Sequence, residues 1–170
     1  LLKSYEEEGY MLATVELVPA VVNPRENRAE LSVNIVEGPE VGIEQISFSG
    51  NEAFDDDDLR GAMDETSQRS WWKFWSGAKF DQVNYEKDKK LIIKQYREEG
   101  YLDATIVKDS IWYSDDRRDM YIDIAIDEGR RSYIRNITWK GNTVYPDSLL
   151  SLRLGFQQGD VFNESRFEEN

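Results

Sequence analysis

At 170 residues, with 21 basic against 34 acidic side chains and a formal charge of −13, the chain lacks the basic stripe that phosphate backbones and anionic lipid surfaces select. It contains neither Cys nor His, which excludes disulfides, thiolate chemistry and the commonest general base and metal ligand. No apolar run approaches the roughly 18 residues of a membrane-crossing helix, while 39% hydrophobic residues suffice for small packed cores.

The opening LLKSYEEEGY reads as the last turns of a helix, and LATVELVPAVV follows as a strand. Pro19 falls within or just after that strand; proline donates no amide hydrogen and is confined to edges and strand ends. In VGIEQISFSGN, Ile46 and Phe48 share one face of a strand, and Gly50-Asn51 supplies turn chemistry. EAFDDDDLRGAM places carboxylates ahead of Leu59 and Met63, where they can cap free amides and meet the positive end of a helix dipole. A calcium loop would need alternating ligands and a glycine at the bend, and DDDD has neither.

The connection SWWKFWSG concentrates Trp71, Trp72, Phe74 and Trp75, rings that either bury themselves under the loop or dock a partner. A second helix is predicted through FDQVNYEKDKKLIIKQYREEG, with Asp81 as its cap, Gly100 as its left-handed stop and Tyr85, Ile92 and Tyr96 on one side. The stretch from Leu102 to Asp109 reads as a strand with Leu102, Ala104 and Ile106 facing the helices. Its alternation falters at Val107, because Lys108 takes the next inward slot, and a bulge would account for that. After a polar SDDRRD turn, MYIDIAIDEG sets Met120, Ile122, Ile124 and Ile126 on one face, completing an antiparallel hairpin. Trp112 and Trp139 read as packing residues, and YIRNITWKGN as a further strand and turn.

The chain spells one phrase twice: YEEEGYMLAT at 5–14 and YREEGYLDAT at 96–105. An offset of 91 carries Tyr5 to Tyr96, Gly9 to Gly100, Tyr10 to Tyr101, Ala13 to Ala104 and Thr14 to Thr105. It also carries Glu37-Gly38 to Glu128-Gly129, Gly50-Asn51 to Gly141-Asn142, Phe54 to Tyr145 and Leu59 to Leu150. Beyond Leu150 the offset becomes 82, matching Phe80 to Phe162, Asp81 to Asn163 and Tyr85 to Phe167, so the first copy carries about nine extra residues around SWWKFWSG. Register held over such a distance marks a duplicated structural unit.

One unit is strand, helix, helix, strand, strand: an α+β fold in which two helices cover one face of a three-stranded mixed sheet. The last strand should lie centrally, paired with the first, leaving the fourth element at an edge. The chain then reads as a window from a longer array: residues 1–38 end one repeat, 39–129 form a complete one and 130–170 begin another.

The order of elements, the glycine-asparagine turn after the first strand and the GY closing the second helix resemble POTRA domains, the polypeptide-transport-associated repeats of outer-membrane assembly factors. The stretch from PEVGIEQISFSGNEAF through SWWKFWSGAKFDQVNYEKDKKLIIKQYREEGYLDATI to DIAIDEG resembles the third of those repeats, with the end of a second and the start of a fourth on either side. The resemblance implies a periplasmic arm attached to a C-terminal membrane β-barrel. Its implied partners are that barrel, unfolded outer-membrane β-barrel proteins and accessory outer-membrane lipoproteins; nucleic acid is not among them and no cofactor is implied. Similar repeats occur in two-partner-secretion and autotransporter-assembly transporters, which stand as the alternative.

An exposed strand edge can accept an extended segment through its free amides and carbonyls. The candidate edge is Leu102, Asp103, Ala104, Thr105, Ile106, Val107, Lys108 and Asp109; the competing possibility is a strand that merely completes the sheet and is blunted by its charges. The aromatic connection is the second candidate dock, and Gly38, Pro39, Gly129 and Arg130 are the expected hinges between repeats. Without His or Cys, catalysis would need paired carboxylates or a serine-lysine arrangement. The carboxylates fall at predicted caps, turns and solvated faces, and no glycine-rich phosphate loop occurs, so the sequence reads as a binding module and not an enzyme.

Overall fold

The computed structural model describes residues 1–23, 28–69 and 79–168. In chain order the elements are α1 (Leu2–Glu7), β1 (Thr14–Asn23), β2 (Arg28–Val36), β3 (Gly42–Ser49), α2 (Asp56–Ala62), α3 (Gln82–Glu98), β4 (Thr105–Tyr113), β5 (Asp119–Asp127), α4 (Asp147–Leu154) and α5 (Glu164–Glu168). β1 and β2 form one antiparallel pair, and a second sheet has the order β3-β5-β4. β5 is therefore central and β4 lies at an edge, as expected, and the alternation of β5 buries one of its faces.

By compactness the chain divides into two units. One comprises Leu1–Ser47, Glu65–Glu86 and Ser110–Ile122. Within it, β1 pairs with β2 from Thr14↔Val36 to Asn23↔Arg28, and the register slips between Val18 and Val21. That interval contains Pro19, whose missing amide hydrogen cannot serve a ladder, and an irregularity is where the strand tolerates it. Among the described residues, Val41, Ile43, Ile46, Phe80, Tyr85, Met120 and Ile122 are the buried apolar residues of this unit. Asp81 starts α3 as predicted: its carboxylate accepts from the Asn84 amide at 2.7 Å, and Phe80 packs on Tyr85 at 5.5 Å between ring centroids.

β4 and β5 are joined by the turn at 114–118, too short for a parallel crossover. The Ser114 amide donates to the Asp119 carbonyl (2.9 Å). The Ser114 hydroxyl and the Arg118 amide both donate to Asp116, at 2.7 and 3.3 Å. These bonds, the serine hydroxyl first, hold the Asp116 carboxyl below its ordinary value of 3.8. A depressed folded-state pKa stabilises the turn above the unfolded value, and the contribution disappears as pH falls through the folded value. Carbon-detected titration should give Asp116 a midpoint below 3.8, and Ser114→Ala should move that midpoint back towards the ordinary value. An unchanged midpoint in the variant would remove the hydroxyl as the cause.

The other unit comprises Phe48–Asp64, Lys87–Asp109 and Asp123–Asn170. Its buried apolar residues include Leu59, Met63, Ile92, Tyr96, Ile124 and Ile126. Asn51 fixes the turn after β3 by donating to the Phe54 carbonyl (3.1 Å) and the Asp56 carboxylate (3.0 Å). Asp55 and Asp58 then form a reciprocal capping box at the start of α2, so the acidic run satisfies orphan helix amides. Asp88, wholly buried on α3, accepts from the Asp64 amide at 2.9 Å and ties the end of α2 to the longer helix.

The later copy repeats the turn: Asn142 donates to the Tyr145 carbonyl (3.1 Å) and to Asp147 (2.6 Å) ahead of α4. The strand expected at YIRNITWKGN does not form. Among the described residues, 133–140 make only an isolated bridge, Tyr133↔Val161. β3 is held as a strand by its pairing with β5, whereas 133–140 have no such pairing among the described residues. Instead, Ile134, Ile137, Leu154, Phe162 and Phe167 line an open apolar groove of about 420 Å³.

Candidate functional site

The edge of the three-stranded sheet is the first candidate. β4 begins at Thr105, three residues after the predicted start, and runs to Tyr113 instead of stopping at Asp109. Leu102, Asp103 and Ala104 lie outside the strand because the backbone there closes α3: the Tyr101 amide donates to Tyr96 (2.9 Å) and the Ala104 amide to Tyr101 (3.2 Å). Thr105, Ile106, Val107, Lys108 and Asp109 are in the strand, with Ser110 to Tyr113 added.

Two contacts reveal how the strand faces. Asp109 pairs with Lys89 of α3 at 2.9 Å, and Trp112 stacks on Tyr121 with centroids 5.8 Å apart and planes 11° from parallel. Met120 and Ile122 are buried, so Tyr121 between them points from the opposite face of β5. Strict alternation along Leu102, Ala104 and Ile106 would send Trp112 towards the helices, whereas its ring lies against Tyr121. Trp112 is consequently 43% exposed and not a buried packing residue; it forms part of the edge. The consecutive apolar letters IWY at the end of a strand were the available signal. Trp139, by contrast, donates its indole N–H to the Ser151 hydroxyl at 2.9 Å. The proposed aromatic dock, Trp71, Trp72, Phe74 and Trp75, lies outside the described residues.

The duplicated phrase builds the second candidate, a matched pair of joints in which the end of a helix is fastened to the segment after the next hairpin. Gly9 and Gly100, both at positive φ, end their helices, and Tyr5–Tyr10 and Tyr96–Tyr101 pack edge to face at 6.2 and 5.9 Å. The Val41 amide donates to the Gly9 carbonyl (2.9 Å), and at the matching position the Ser132 amide donates to Gly100 (2.8 Å). Tyr96 donates its hydroxyl to Glu128 (3.0 Å), which also accepts from the Ala53 amide (2.8 Å). Burial first, then this carboxylate, pushes the Tyr96 phenol far up; Tyr5 is raised in the same sense by desolvation and by its bond to Glu37. Of the residues expected as hinges, Gly38 and Gly129 both adopt positive φ and are followed by Pro39 and Arg130.

The copies diverge one residue beyond. Arg131 donates to the Glu99 carbonyl (2.8 Å) and carboxylate (2.6 Å) and lies 5.8 Å from the Tyr101 ring centre. Asn163 donates to the Glu98 carbonyl, and Ser165 to its carboxylate, both at 2.8 Å. At the earlier joint Glu40 stands where Arg131 stands, and the side-chain fastening is an exposed pair between Lys79 and Glu8 (2.8 Å), which lowers the Glu8 pKa. Arg131, Asn163 and Ser165 were missed by sequence reasoning, although a charge reversal inside an otherwise matched register pointed to the first of them.

This arrangement can be matched to known proteins. A family model described as POTRA, surface antigen variable number repeat, matches residues 41–129 and again 132–170. The chain belongs to the POTRA family.

Outer membrane protein assembly factor BamA of Neisseria meningitidis serogroup B is 26% identical over 129 residues, covering 76% of this chain and 16% of that protein. BamA of Buchnera aphidicola is 20% identical over 144 residues, covering 85% of the chain and 23% of the relative. The chain thus spans less than a quarter of the length of these curated relatives. The crystal structure of Haemophilus influenzae BamA POTRA3-5 superposes with a TM-score of 0.52 at 21% identity, over 97% of this chain and 61% of that one, and supports the POTRA fold. Among the described residues no helix is long and apolar enough to cross a membrane.

Proposed function

We propose that the chain is part of the periplasmic arm of an outer-membrane protein assembly factor, holding the end of one POTRA repeat (1–38), a complete repeat (39–129) and the start of another (130–170). Its complete repeat receives unfolded outer-membrane β-barrel proteins by adding one of their extended segments to β4. The observation that carries this is the nine-residue strand at the sheet edge, with no strand beyond it among the described residues. Unpaired backbone groups bind any extended chain, which suits clients that share an alternating pattern and little else. The relatives named for outer-membrane protein assembly support the class of client. Accessory lipoproteins would dock elsewhere on the arm, and the membrane β-barrel would follow it.

The test is an amide-shift titration of the chain with a peptide copied from an outer-membrane β-strand and with its scrambled form. Shifts should cluster at Thr105–Tyr113 for the first peptide only. The Ser114 amide points inward to Asp119, so alternation turns the Ile111 amide outward, and Ile111→Pro should abolish the shifts while leaving the hairpin paired. Shifts that ignore β4, or that survive the proline, would overturn strand addition.

A further inference from the structure

The two halves of β4 differ in chemistry. The first half carries Lys108 and Asp109, the latter neutralised by Lys89 of α3. Ser110 to Tyr113 carries no charge in a chain with 55 charged side chains, and Ile111, Trp112 and Tyr113 are each at least one-third exposed. Three consecutive exposed apolar residues on a sheet edge invite another strand, a feature that folded proteins otherwise suppress.

The geometry narrows the occupant. Inward hydrogen bonding at Ser114 turns the backbone groups of Ile111 and Tyr113 outward, so an added antiparallel strand would bond to both. Trp112 then sits at the intervening position, where cross-strand side chains approach most closely. One face of its indole is already stacked on Tyr121, so the next residue in the row is the one the incoming strand supplies.

We infer that the Trp112–Tyr121 pair is a selectivity element of this edge: it favours incoming β-strands that place an aromatic side chain opposite Trp112, extending a two-ring ladder to three. The inference rests on the strand-addition function proposed above. Strands of transmembrane β-barrels carry such aromatic residues at the two membrane interfaces, next to alternating apolar positions. The uncharged, apolar edge at 110–113 matches that composition, whereas an acidic or uniformly polar segment would leave Ile111 and Tyr113 uncovered.

The deciding experiment titrates the chain with two alternating nine-residue peptides that differ only by Tyr or Leu at the central position, using backbone amide shifts. The Tyr peptide should bind about three- to tenfold more tightly, the range that aromatic pairing adds beyond area burial. Trp112→Val, which keeps strand propensity, should equalise the two peptides, and Trp112→Tyr should retain the preference. Unperturbed methyl shifts of Ile122 and Ile124 establish that the variants fold. Equal affinities in the native chain, or a preference that survives Trp112→Val, would overturn the inference and leave strand addition intact. Absence of binding by both peptides would remove strand addition and the inference with it. Shifts at Ser110–Tyr113 that grow with chain concentration alone would assign the edge to a second copy and likewise overturn it.

Discussion

Gly50→Ala should destabilise the chain by about 2–5 kcal/mol, the sum of a left-handed backbone penalty and overpacking. Gly50 has φ +78°, and a Cβ there would meet the Ile126 carbonyl oxygen, a backbone atom of the central strand that cannot step aside. Gly141, its counterpart in the next copy, has φ +79° with nothing within 4 Å of an added Cβ, so Gly141→Ala should cost only the backbone term of about 1–2 kcal/mol. Urea unfolding followed by circular dichroism compares the two directly. Equal losses would mean that the approach to β5 is not what demands glycine at position 50.

Gly100→Ala should open the later joint. At φ +87°, an added Cβ would lie 2.6 Å from Val161 Cγ1 and 3.0 Å from the Ser132 carbonyl oxygen, within the segment whose amides fasten the joint. Hydrogen exchange at Ser132 and Phe162, whose amides donate to Gly100 and Ser132, should accelerate by about tenfold or more, the equivalent of losing about 1.4 kcal/mol of local protection. Gly9→Ala is the matched control. There the contacts are the flexible side chains of Glu40 (3.1 Å) and Lys79 (3.7 Å), which can move, so exchange at Val41 should change less. Unchanged exchange at Ser132 in Gly100→Ala would separate this glycine from the joint.

These contrasts explain why the chain repeats its phrase. The tyrosines, the helix-ending glycine and the glutamate-glycine pair that follows the hairpin supply the same backbone fastening twice, at Gly9–Val41 and Gly100–Ser132. What the phrase leaves open is the side-chain fastening: Arg131, Asn163 and Ser165 strengthen one joint, and Lys79 with Glu8 serves the other.

The repeat, the order of elements, the acidic cap of α2, and the Asp81 cap and glycine stop of α3 were all legible in the residues alone. Each of these follows from local geometry, which needs only neighbouring residues: periodicity of two or 3.6, side chains that reach amides two or three residues on, and glycine where φ turns positive. Burial is a different matter, because it depends on what the fold brings alongside. Leu31, Val33 and Ile35 stand in register with Ile122, Ile124 and Ile126, yet Leu31 is 63% exposed and Ile122 is 1% exposed. The same alternation is buried in one sheet and exposed in the other, and YIRNITWKGN, matched in register to β3, makes only an isolated bridge among the described residues. The edge site depends on tertiary packing for the same reason. Trp112 stacks on Tyr121 of the neighbouring strand, and a pairing between strands is not a property of either strand alone.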